Sequence, residues 1–167
     1  MTALYLSAEG AVRMAFAEPR DGVKSLWGLG GSRGYGTMTA NEWIAQHGMV
    51  KALVMDVCPD RAVMAFTALW DYRPDKIAVA MAWHADAFAR PGRSPPRAWG
   101  VSIVNRWARR KIVRARSDAQ WAQALGIDPR TAGAWRRELV AALEAARREG
   151  IALMEHELRV RELIPSE

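Results

Sequence analysis

The sequence predicts a mainly α fold, a helical bundle with a helix-turn-helix unit towards the C-terminus and a flexible or small-hairpin N-terminal arm. Three observations predict it. Alanine is abundant, and it forms helices with shallow packing more readily than strands. Half of the 167 residues are hydrophobic and eight are Trp, so the chain can bury the core of one ordinary domain. Apolar residues recur at helical spacing between caps and breakers from Thr39 onwards.

Residues 1–38 make the arm. Leu4, Leu6, Val12, Met14 and Phe16 alternate weakly, and Glu9-Gly10 offers a turn, the pattern of a small hairpin. The run WGLGGSRGYGT then places five glycines between Gly28 and Gly36. A phosphate loop would need Gly-Lys followed by Ser or Thr, and a dinucleotide loop three glycines in another register, so this run reads as a linker. Arg33 and Tyr35 on it would be free to reach a partner.

Residues 39–89 form the bundle segment. Thr39 and Glu42 stand at capping-box spacing before a helix running to about Val57, with Trp43, Ile44, Val50, Leu53, Val54 and Val57 as its inward stripe. Asp60 precedes a second helix through Ala62 to Tyr72, whose apolar residues are Val63, Phe66, Leu69 and Trp70. Pro74 separates it from a third, about Asp75 to Ala89, with Ile77, Met81, His84 and Phe88 on one face. His84 has no second His or Cys nearby in sequence and reads as a packing residue rather than a metal ligand. Cys58, the only cysteine, can form no internal disulfide and reads as a buried, reduced thiol.

Residues 90–97, RPGRSPPR, cannot continue a helix and read as a linker. Beyond it, a helix from Val101 to about Arg114 carries Ile103, Val104, Trp107 and Ile112 on one side. Arg106, Arg109, Arg110, Lys111 and Arg114 crowd its other faces with no acid among them.

The stretch Ser117 to Glu138 has the spacing of two helices crossing at a tight turn. Such a pair needs a small residue at the crossing and a positive φ in the turn, and Ala122 and Gly126 occupy those places. Trp121, Leu125, Ile127 and Trp135 would lie between the helices, with Ala132 filling the remaining inward position. Asp128 is a good N-cap and Pro129 suits the first helical turn. That leaves Arg130, Thr131, Gly133, Ala134, Arg136 and Arg137 facing outward. The second helix continues through Leu139, Val140 and Leu143 to Gly150, which reads as its C-terminal stop. A further helical tail from Ile151 offers Met154, Leu158 and Leu163 for packing in cis or for a homodimer seam.

Charge is distributed unevenly along this plan. Arg97 to Arg137 contains ten Arg or Lys and two Asp, a balance of +8 against +6 for the whole chain. Residues 138–167 carry seven acids against four Arg. Basicity is therefore local to the helix-turn-helix region, the electrostatic footprint of nucleic-acid contact.

The fragment LGIDPRTAGAW resembles the turn and second helix of the promoter-reading domain of bacterial sigma factors, within the wider class of helix-turn-helix DNA-binding regulators. A small, basic, Trp-rich chain with such a unit near its C-terminus also resembles the late-gene antiterminators of temperate phages. The segment IAVAMAWHADAFA is similar to a degenerate second copy, with Ala78 and Ala82 at the small-residue positions. The resemblance implies a sequence-specific transcription regulator bound to double-stranded DNA and acting with RNA polymerase through its N-terminal half. It places the second helix in the major groove, with Arg130, Thr131, Ala134 and Arg137 against bases. Arg106, Arg109, Arg110, Lys111, Arg114 and Arg136 would meet phosphates and set register.

A DNA-packaging adaptor, similar to a terminase small subunit, is the first alternative, and mass in solution would separate the two. A metal-dependent nuclease is the second and would need Asp56, Asp60, Asp71, Asp75 and Asp86 to gather around an ion. The sequence has no HExxH, Gly-x-Ser-x-Gly or CxxC motif, so neither an enzyme nor a cofactor or metal site is expected. No apolar run approaches the roughly 20 residues that span a bilayer, and no leader-like segment opens the chain, so a cytoplasmic protein without a membrane partner is expected.

Overall fold

The computed structural model describes residues 4–17, 40–89, 95–108 and 116–165. Within them are seven helices and no strand: α1 (Ala8–Phe16), α2 (Ala40–Val57), α3 (Asp60–Trp70), α4 (Pro74–Phe88), α5 (Arg97–Trp107), α6 (Asp118–Leu125) and α7 (Pro129–Val160). The Gly-rich run, Thr39, most of the Pro-rich linker, and Arg109, Arg110, Lys111, Ile112 and Arg114 lie outside the described residues.

The arm begins with a helix, not the expected hairpin. Ser7 caps α1 by accepting a 3.1 Å hydrogen bond from the Gly10 N–H, so Glu9 and Gly10 form a first helical turn instead of a reverse turn. The apparent alternation concealed a helical stripe of Ala8, Ala11, Val12 and Phe16, all buried.

α7 is the axle of the molecule. Its 32 residues extend about 48 Å at 1.5 Å per residue. The C-terminal half, through Met154 and Leu158, packs with α1, α2 and α3 around Tyr5, Phe16, Trp43, Val54 and Phe66. The N-terminal half, through Leu139 and Leu143, packs with α4 and α5 around Ala68, Met81, Trp99 and Ile103. Trp107 ties α5 to the axle by donating from Nε1 to Glu144 at 2.7 Å.

Gly150 does not stop this helix. It sits buried inside α7 where α3 crosses, and a Cβ there would lie 2.5 Å from the Phe66 ring and 2.8 Å from the Ala62 methyl. Glycine serves close approach here, at an intrinsic helix cost of about 1 kcal/mol that the crossing offsets. Gly100 does the same between α5 and α4, its missing Cβ falling 2.7 Å from that of Ala85. The actual end of α7 comes later, where Glu162 takes φ +56° and the Leu163 N–H donates to the Leu158 carbonyl at 2.8 Å.

Further expectations are corrected by the packing. Ile44 is 60% exposed, its inward place taken by Gln46 and His47, because α2 is apolar on more than one face and periodicity could not choose between them. Pro74 to Phe88 is one continuous helix, so the proposed second copy has no turn at Ala82. α5 starts at Arg97 and ends at Trp107, whereas a helix from Val101 to Arg114 was expected. Pro96 takes its N-cap position, and Arg97, assigned to the linker, pairs with Asp86 of α4 at 3.3 Å. Of the two roles left open for the tail, Met154 and Leu158 take packing in cis, fully buried, with Leu163 partly buried against the same core.

Candidate nucleic-acid interface

Ser117 begins α6 with a reciprocal cap: its Oγ accepts from the Gln120 N–H at 3.2 Å, and Gln120 Oε1 accepts from the Ser117 N–H at 2.8 Å. The chain leaves α6 through Gly126 at φ +63°, a conformation that would strain any residue with a Cβ. Asp128 then caps α7, accepting from the Arg130 N–H at 2.6 Å, with Pro129 in the first turn. Two helices thus meet across a three-residue turn.

Ala122 and Ala132 fill the crossing, at 1% and 0% exposure. Trp121 and Trp135 are partly buried against the α4–α5 core, and Trp135 meets Trp99 edge-on at 6.1 Å. Leu125 and Ile127 are half-buried. Of the seven expected core residues, Ala122 and Ala132 are buried at the crossing, Trp121, Leu125, Ile127 and Trp135 are partly buried, and Gly126 is exposed in the turn. Arg116 also contributes, its guanidinium lying 5.1 Å over the Trp121 ring.

The outward residues divide into two kinds. Arg136 donates to Asp118 at 2.7 Å, and Arg106 lies 3.7 Å from the same carboxylate while donating to the Arg116 carbonyl at 3.0 Å. Two of the expected phosphate contacts are thus tied between α5, α6 and α7 by an acid whose significance the sequence did not reveal. Arg130, Thr131 and Arg137 are exposed, and among the described residues no carboxylate pairs with either arginine. Ala134 is half-buried beside them. Gly133, expected to face outward, is covered, with Arg137 Nη1 3.6 Å from where its Cβ would stand. Side chains on a helix lean towards its N-terminus, so Arg137 lies back along α7 towards Arg130.

The acids required by a nuclease are dispersed. Asp71 is buried and accepts from Arg73 at 2.7 and 3.0 Å, with Lys51 3.6 Å away; the Arg73 hydrogen bonds and the two cations hold its carboxyl below its usual range, against the opposing effect of burial. Asp60 and Asp75 occupy first turns of helices. Among the described residues no three His, Cys, Asp or Glu side chains stand close enough to hold a metal ion. His84 is buried as expected, a ring N–H donating to the Met64 carbonyl, while its Nε2 has no partner. No described helix is long and apolar enough to cross a membrane.

The chain matches no protein-family model and no curated protein.

Proposed function

We propose that the protein is a sequence-specific, double-stranded-DNA-binding transcription regulator that reads bases with the first turns of α7. One observation carries the reading: Arg130 and Arg137 are exposed, with no ion pair among the described residues, on the first three turns of a helix that packs into two cores. Unpaired cations on a fixed helix repel one another, and a polyanion relieves that repulsion. The guanidinium fork of arginine matches guanine O6 and N7, so these two residues read, with Thr131 and the low-relief Ala134 beside them. Arg109, Arg110, Lys111 and Arg114, basic in sequence with no acid among them, supply phosphate contact and register.

Selection from a randomised duplex pool at several salt concentrations tests this. The wild-type protein is expected to enrich one sequence. Arg130→Ala and Arg137→Ala are each expected to relax preference at particular base pairs, by about 1–3 kcal/mol for a lost bidentate contact. Failure to enrich any sequence, with both variants binding as the wild type does, would overturn the reading.

A further inference from the structure

We infer that the DNA-facing surface extends beyond the reading turns along the outer stripe of α7 to Arg148, which meets the phosphate backbone outside the groove. This rests on the reading above. The buried stripe of α7 is Ala132, Leu139, Leu143, Ala146 and Gly150. At 100° per residue the opposite stripe is Arg130, Ala134, Arg137, Ala141 and Arg148. Arg148 therefore points the same way as the proposed readers.

Its neighbouring acids are occupied. Glu144, one turn back, accepts from Trp107 Nε1 at 2.7 Å and from Arg147 at 3.1 Å. Glu149, next in the chain, accepts from Arg61 at 2.6 and 2.7 Å. Arg148 is left exposed, with no ion pair among the described residues, although the Glu144 carboxyl, held below its usual range first by the Trp107 hydrogen bond, also feels the Arg148 charge. Between Arg148 and Arg137 lies an open depression of about 370 Å³ lined also by Arg136, Val140, Ala141, Glu144 and Ala145. Three arginines against one carboxylate around this depression complement a polyanion rather than a second apolar helix.

Length decides what each arginine meets. Arg130 and Arg137 are about 10 Å apart along the axis, within the roughly 12 Å width of the major groove. Arg148 stands about 16 Å beyond Arg137, so it passes the groove wall and reaches phosphate, not base.

The test is fluorescence anisotropy of full-length Arg148→Gln on the selected duplex and on a scrambled duplex, from low to moderate salt, with thermal melts confirming the fold. Binding to both duplexes is expected to weaken severalfold by the same factor. The salt slope should fall by about 0.9, the contribution of one phosphate contact, and the selected sequence should not change. Unchanged affinity and slope in a variant whose parent binds DNA would overturn the inference and leave the base-reading proposal standing. A parent that binds no duplex at low salt would remove both. A variant that differs from its parent in mass rather than in salt slope would assign the stripe to contact between copies, and the inference would fall.

Discussion

Asp118 holds Arg136 and lies close to Arg106, so a carboxylate already occupies the place that phosphate would take on those two side chains. Asp118→Asn keeps the shape and removes the charge. Affinity for duplexes of any sequence should rise, and the salt slope should steepen by up to about two contacts. A lower melting temperature with an unchanged slope would instead make the acid a structural pin only. His84 predicts the acid limb of stability. Burial pushes its imidazole down to about 4 from an ordinary value of 6.5, partly opposed by the bond to Met64. Between those values the unfolded chain binds a proton that the native chain refuses, so stability declines as pH falls through that window. The loss is on the order of 3 kcal/mol below it. Denaturant melts from pH 7 to pH 4 should show this, with a shallower decline in His84→Gln. Identical pH profiles would place the titrating group elsewhere; His47, also lowered by burial, is the first candidate.

At the scale of elements, the α6–α7 pair depends on small residues where the helices cross. Ala122 has 1% exposure at that crossing, and overpacking typically costs about 1–3 kcal/mol. Ala122→Leu is expected to lower stability by that much and to tilt the first turns of α7, so that DNA affinity falls more than stability alone would require. Chemical denaturation and a binding titration on the same sample measure the two effects; normal stability with normal affinity would contradict the packing described. The pair was legible in sequence because its requirements are local: a cap at Asp128, a left-handed glycine at 126 and small residues at fixed offsets. α1 was not legible as a helix, since nine residues with apolar positions at 8, 11, 12 and 16 also satisfy a loose alternation. Its helical state is selected by burial against α2, α3 and α7.

On the scale of the whole molecule, α7 couples the proposed reading surface to both cores. The division of the sequence at residues 90–97 does not divide the packing, because α5 lies on α4 through Gly100 and Ala85, and Phe88 stacks on Trp99 at 6.5 Å. Residues 98–167 produced alone are therefore expected to lack a cooperative thermal transition, with Met154 and Leu158 stripped of α1 and α3. A sharp melt and dispersed amide resonances from that fragment would show that the C-terminal unit folds independently.

The sequence by itself determined the helical class, the positions of the breakers, the crossing at Ala122 and the local concentration of positive charge. Each depends on residues within a few turns of one another. Only the tertiary structure decided that Gly150 is a crossing point and not a stop, since the difference lies in Phe66 and Ala62, more than eighty residues away. It also decided which arginines have no ion pair among the described residues. A formal charge is a property of the residue, but a counter-ion is a property of the fold, and Asp118, Glu144 and Glu149 find partners that leave Arg130, Arg137 and Arg148 facing solvent.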